Sequence, residues 1–164
     1  MLLAIDPGST QSAYVIMRED DMFPVAYNKI DNQKIILEIL QFCECNRENA
    51  KIAIEMIASY GMPVGREVFD TCVWIGRFFQ TAIDESIRPS FIYRQSEKLC
   101  ICHSTHANDA TIRQALVDRF APNVPNKGKG TKKNPGWFYG FSHDVWAAYA
   151  VGVTYLEKGG DVYE

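Results

Sequence analysis

The sequence predicts a mixed α/β sheet of five strands, three antiparallel and then parallel ones, flanked by helices. Two observations carry this. Segments 2–5, 11–17 and 22–30 are apolar or alternating and are joined by short polar connections, the pattern of an antiparallel meander. Two more strand-like segments, 51–55 and 89–93, are then interleaved with stretches of helical spacing, and strands alternating with helices build parallel pairs. The chain of 164 residues contains no repeat and no linker, so residues 1–164 are expected to form one domain.

Each element has its own signal. The run 2–5 is apolar and stops at Asp6-Pro7-Gly8, as a buried strand ending in a turn does. Arg18-Glu19-Asp20-Asp21 separates the next two strands, and Phe23, Val25 and Tyr27 alternate as on a half-buried one. Asn32 is placed to cap a helix carrying Ile35, Ile36, Ile39, Leu40 and Cys43 at helical spacing. In 51–55, Ile52 and Ile54 share one face while Ala53 and Glu55 share the other. A second helical pattern runs through Val68, Phe69, Cys72, Ile75, Phe79 and Ile83. Residues 108–120 read as a short helix with Ile112, Ala115, Leu116 and Phe120 inward. Residues 121–140, rich in Pro, Gly, Lys and Asn, read as a long loop. Ser142 is placed to cap a last helix with Val145, Ala148, Tyr149, Gly152, Val153 and Leu156 on its apolar side.

Composition narrows the function. With 47% hydrophobic and 23% charged residues, the profile is globular, and disordered or coiled-coil classes are excluded. The longest apolar stretch, 145–156, is shorter than the ~20 residues of a membrane span, and no secretory leader fits ahead of Asp6. No membrane partner and no organic cofactor are expected. Five cysteines make no disulfide framework and point to a reducing cytoplasm. Cys43-x-Cys45 and Cys100-x-Cys102, with His103 and His106, have the wrong spacing for a zinc site, and buried thiols are the better reading. The net charge is −3, so any nucleic-acid surface must be local.

Three acids stand where a core has no use for them. Asp6 ends an apolar strand, held in extended backbone by Pro7 beside a glycine turn. Glu55 repeats this at the end of Lys51-Ile52-Ala53-Ile54. Asp144 lies in the first turn of the last helix, where Ala147 and Ala148 permit close approach to a sheet. Each also has an ordinary reading: a turn former, a wet strand end, and an acid favoured by the helix dipole. If the two strands are parallel neighbours, Asp6 and Glu55 emerge at one carboxyl edge, where α/β sheets bind ligands. Hard carboxylates gathered there suit divalent cations and phosphodiester hydrolysis.

These residues resemble the RuvC-like Holliday junction resolvases of the RNase H-like superfamily, particularly the compact phage and prophage type. The matching motifs are Ala4-Ile5-Asp6-Pro7-Gly8-Ser9, Ile52-Ala53-Ile54-Glu55, Trp74-Ile75-Gly76-Arg77 and Ser142-His143-Asp144 entering an alanine-rich helix. Residues 98–112 are similar to the family's run of a basic residue, a polar loop and a helix start. The resemblance covers nearly the whole chain and implies an RNase H-like sheet. It also implies a Mg²⁺-dependent endonuclease cutting branched DNA at four-way junctions as a homodimer in the bacterial cytoplasm. By it, Asp6, Glu55 and Asp144 are the catalytic metal ligands for two ions, with Mn²⁺ as an alternative. Many members carry a second acid three residues after the late Asp. Here that position is Ala147, which leaves the ion count open and His143 or Asp109 as the candidates for a fourth ligand.

From 119 to 133 the chain holds Arg119, Lys127, Lys129, Lys132 and Lys133 and no acid, with Trp137, Phe138 and Tyr139 just beyond. Such a loop suits phosphate contacts with nearby base stacking, or is simply a solvated loop. Lys98 and Arg94 are candidates for contacts across the cleft. Tyr60 sits where the family places an aromatic that probes unstacked bases, and a packed tyrosine is the other reading. Competing functions are an RNA-processing nuclease of the same fold, a DNA-binding relative without chemistry, and an ATP-binding relative of the actin-like group. The last needs a second phosphate turn that this chain lacks.

Overall fold

Alternation across the pleat divides strand β1 (Leu2–Asp6) between two layers: Leu2 and Ala4 enter one core, Leu3 and Ile5 the other. The computed structural model describes residues 1–59, 61 and 63–159. Strands β2 (Gln11–Met17) and β3 (Pro24–Asp31) follow antiparallel to β1, while β4 (Lys51–Met56) lies parallel to β1 and β5 (Ser90–Tyr93) parallel to β4. The sheet order is β3-β2-β1-β4-β5, the five-stranded mixed sheet expected.

Helices α1 (Asn32–Cys45) and α2 (Arg66–Asp84) cover the Leu3/Ile5 face. Helices α3 (Arg94–Cys102), α4 (Asp109–Phe120) and α5 (His143–Lys158) belong to the other layer. Helix α5 is buried from Ala148 to Thr154 and lies against β1 and β2. A Cβ on Gly152 would stand 2.4 Å from Met17 Sδ and 3.1 Å from Ala4 Cβ, so a glycine lets the helix sit this close. Among the described residues no helix is long and apolar enough to cross a membrane.

The structure departs from the sequence reading in several places. Asp31, not Asn32, takes the N-cap position of α1. Asn32 is buried and its amide works inward, as described below. Phe23 precedes β3 and Val25 is exposed, because β3 is an edge strand with solvent on part of both faces. Helix α2 turns Thr71, Ile75, Phe78 and Ala82 to the core, leaving Phe69, Cys72 and Ile83 exposed. It carries two apolar stripes, and periodicity alone cannot say which is buried. The expected polar loop after residue 98 is in part helix α3, whose buried residues are the polar Ser96 and Glu97. Ser142 does stand at the N-cap of α5, but its side chain makes no capping bond. Of the aromatics after the basic loop, Phe138 is fully buried and Trp137 partly so, and only Tyr139 is exposed. Phe138 fills the core against Phe141, Trp146 and Tyr149 instead of facing solvent.

Candidate active site

Parallel pairing of β1 with β4 sets Ala4 beside Ala53 and Ile5 beside Ile54. One step further along both strands come Asp6 and Glu55, with the parity of Ala4 and Ala53, so both point to the α5 side at the carboxyl edge. Of all the charges around Asp6, that of Glu55 weighs most on its carboxyl. Burial, then the charges of Glu55 and Asp144, push the Asp6 carboxyl well above the ordinary aspartate range, against the pull of Arg94.

The turn behind Asp6 is clamped. Gly8 N–H donates to Ser12 Oγ at 3.1 Å, Ser12 Oγ donates to Asn32 Oδ1 at 2.6 Å, and Asn32 Nδ2 donates to the Gly8 carbonyl at 2.8 Å. A closed ring of bonds through buried Ser12 and Asn32 holds the segment that presents Asp6. A Cβ at Gly8 would fall 2.3 Å from the Gln11 carbonyl oxygen, so no other residue fits this turn unchanged.

Asp144 arrives from the first turn of α5. Asp6, Gly8, Gln11, Lys29 and Asp144 are among the residues lining one cavity of about 200 Å³. Asp144 is ion-paired with Lys29 of β3, and His143 Nδ1 stands 3.5 Å from its other oxygen. The three acids predicted from sequence are thus brought to one edge of the sheet. Among the described residues, however, no three Asp, Glu, His or Cys side chains form a ready-made ligand group.

A fourth acid, unforeseen in the sequence, lies among them. Glu97 of α3 has no exposed surface, and its Oε1 has no hydrogen-bond partner. Burial and then the Glu55 charge push its carboxyl well above the ordinary range, with a smaller push from Asp6, while Arg94 pulls the other way. Arg94 pairs with Glu97 Oε2 and with Asp109 at the start of α4. Burial alone would lower its pKa, but Glu97, Glu55 and Asp109 together raise it. Arg94, Asp109, His143 and Ala147 line a narrow cleft of about 20 Å³ beside this cluster. So His143 and Asp109 both lie near the acids, with Asp109 already engaged by a guanidinium. The signal that could have found Glu97 is faint: an acid three residues after an arginine looks like a solvated helix pair.

The donor set fits a hard divalent cation in its chemistry. It consists of carboxylate oxygens, one of them buried and unpartnered, crowded closely enough that neighbouring acids help raise the Asp6 and Glu97 carboxyls. In this arrangement the ammonium of Lys29 and the guanidinium of Arg94 supply the neutralising charge.

The basic residues divide. Lys127 and Lys129 line a cavity of about 400 Å³ with Arg113, Asn126, Ser142, His143 and Trp146 at the N-terminus of α5. Lys129 Nζ also donates to the Phe141 carbonyl at 2.5 Å, and Arg113 Nε is buried without a partner. Lys132 and Lys133 are exposed in the same loop, and Lys98 is part-exposed on α3 beside Glu97. Arg119 is not brought to the site: it pairs with Glu157 in the last turn of α5, roughly 20 Å along the helix from Asp144 at 1.5 Å per residue. Tyr60 lies outside the described residues.

No family model matches the chain, and no curated protein sequence does. Solved structures do. A Thermus thermophilus RuvC structure matches with a TM-score of 0.67 and 14% identity, covering 97% of this chain and 96% of that one. T. thermophilus RuvC in complex with Holliday junction substrate matches with a TM-score of 0.68 and 12% identity, covering 96% and 93%. The chain therefore has the RuvC-like, RNase H-like fold over nearly its whole length.

Proposed function

We propose that this chain is a divalent-metal-dependent endonuclease that hydrolyses phosphodiesters in branched DNA, with four-way junctions as its substrate. The observation that carries the reading is the placing of Asp6 and Glu55 side by side at the carboxyl edge, with Asp144 brought from α5 into the cavity beside them. Asp6, Glu55 and Asp144 would hold Mg²⁺, or Mn²⁺, in one or two ions. When bound, such ions activate water and stabilise charge on the leaving oxygen. The chain's own part is to fix the carboxylates: the Ser12–Asn32 ring holds Asp6 still, and burial of α5 fixes the helix that carries Asp144. Lys29 and Arg94 balance the charge of the acids without a cation, and the half-exposed Lys29 would turn to a backbone phosphate on binding.

Phosphates flanking the scissile bond would meet Lys127, Lys129 and Arg113 at the positive end of α5, with Lys132, Lys133 and Lys98 extending the track. This local field answers the acidic composition. A four-way junction has two-fold symmetry and is resolved by two symmetric cuts, which asks for two copies related by a two-fold axis. Helix α2 supports that reading: Phe69 and Val73 lie on its outer side, 61% and 63% exposed, with the bare Gly76 beside them. The five free cysteines suit a reducing compartment, and the bacterial cytoplasm and a phage or prophage origin follow the resemblance to that type.

The test is cleavage of four-way, Y-shaped and linear DNA and of RNA–DNA hybrid, with Mg²⁺ or EDTA, by wild type and Asp6→Asn. Paired symmetric nicks in the four-way junction, lost in EDTA and in the variant with binding retained, are expected. Cleavage of hybrid alone would move the reading to RNA processing. Wild-type turnover by Asp6→Asn would overturn the site assignment.

A further inference from the structure

We propose that Glu97 is a fourth oxygen ligand of the cation site, delivered from α3 instead of α5. The inference rests on the metal-dependent reading above and adds a residue to it. Three observations point there. Glu97 is wholly buried yet acidic, and a lone buried carboxylate is retained only against compensating charge or hydrogen bonds. Its compensation is half complete: Arg94 binds Oε2, whereas Oε1 has no partner. Besides Arg94, the charges that weigh most on its carboxyl are those of Glu55 and Asp6, the two acids already assigned.

The local fold explains how it reaches them. Tyr93 ends β5 opposite Met56 of β4, and α3 starts at the next residue. The first turn of α3 therefore begins at the same carboxyl edge where Glu55 emerges, one strand away. Glu97 lies in that turn, and α3 packs against α5. Helix α5 lines the cleft with His143, Trp146 and Ala147, and no carboxylate is among them. Arg94 occupies Oε2 as a competing cation, while Oε1 stays free for a hard cation of the Mg²⁺ or Mn²⁺ class. Its second arm on Asp109 anchors the guanidinium to α4.

The experiment measures binding of Mn²⁺ alone, by calorimetry and by loss of the free-ion paramagnetic signal, without DNA and without turnover. The proteins are the wild type, Asp6→Asn, Glu97→Gln and Arg94→Gln. Glutamine keeps the shape of Glu97 and accepts from Arg94 but removes the charge. Expected are saturable binding by wild type, its loss in Asp6→Asn, and weakening of at least about ten-fold in Glu97→Gln. Arg94→Gln should bind Mn²⁺ as tightly as wild type or tighter, because a competing cation is gone. If Glu97 served only to anchor Arg94, the two variants would move together, and that result overturns the proposal. Wild-type affinity and stoichiometry in Glu97→Gln overturns it too, leaving a three-acid site intact. No saturable binding by wild type overturns the metal reading itself, which Asp6→Asn then leaves unchanged. Should Glu97→Gln not fold, Glu97→Asp keeps the charge and withdraws the oxygen, and it must weaken Mn²⁺ binding for the proposal to stand.

Discussion

Asp6 and Glu97 are held by the fold at a cost in stability, and that cost has a pH signature. Both carboxyls are raised above their ordinary values, 3.8 in the case of an aspartate, first by burial and then by neighbouring acids. Over the window from that value up to the raised one, the folded state keeps a proton that the unfolded chain has shed. Their contribution therefore falls as pH climbs through the window and stays low above it. Removing the charge removes the penalty. In EDTA, Asp6→Asn should melt a few degrees above wild type at pH 7, given 2–4 °C per kcal/mol for a chain of this length, and the gap should close near pH 4. Calorimetric scans of both proteins from pH 4 to 7.5 check this, and a gap independent of pH would sink it. The Ser12–Asn32 ring makes a second residue-scale case. Asn32→Ala leaves the Ser12 hydroxyl and the Gly8 carbonyl short of a partner, a loss of about 1–3 kcal/mol for buried groups. Its junction-cleavage rate should fall by more than its junction affinity, since the ring positions Asp6 and touches no phosphate. Equal losses in both would deny it a positioning role.

Among the elements, α5 packs against β1, β2 and α3 and is sensitive to small additions at Gly152. Gly152→Ala would drive a methyl into Met17 and Ala4, an overpacking cost of about 1–3 kcal/mol, visible as a lower urea midpoint. An unchanged midpoint would mean that the Met17 side chain simply swings aside. The basic loop predicts differently. Replacing Lys127, Lys132 and Lys133 with Ala should leave stability alone and flatten the log–log salt dependence of junction binding by up to about three units. An unaltered slope removes the loop from the interface. Lys129 is left out because it also anchors the Phe141 carbonyl. These elements differ in how plainly the sequence announced them. Apolar strands that stop at an acid are legible, because a charge closing a buried run has few structural uses; hence β1, β4 and their carboxylates. Helix α3 is not legible, since its buried residues are Ser96 and Glu97 and hydrophobic periodicity has nothing to detect. The facing of helix α2 is only partly legible, because a stripe through Phe69, Cys72 and Ile83 competes with the buried one of Thr71, Ile75, Phe78 and Ala82.

The exposed stripe of α2 matters at the scale of the whole molecule. An outer stripe of Phe69 and Val73 beside a bare Gly76, with Leu37 of neighbouring α1 63% exposed, is more apolar surface than a solitary helix needs. Glycine lets two helix backbones approach closely, so the stripe can pair with itself about a two-fold axis, residue against like residue. A stable pair needs on the order of 1,200 Å² of buried surface, which α2 would have to supply together with α1. The acids emerge at the sheet's carboxyl edge on the opposite layer, so pairing through α2 leaves both sites open to DNA. Phe69→Asp with Val73→Asp should therefore sediment as a monomer where wild type sediments as a dimer. Its Mg²⁺ site should be intact, with the same Mn²⁺ affinity, and its products on a four-way junction should shift from paired symmetric cuts to single nicks. A dimer that survives both charges would place the two-fold elsewhere. Paired cuts from a proven monomer would remove the symmetry argument altogether.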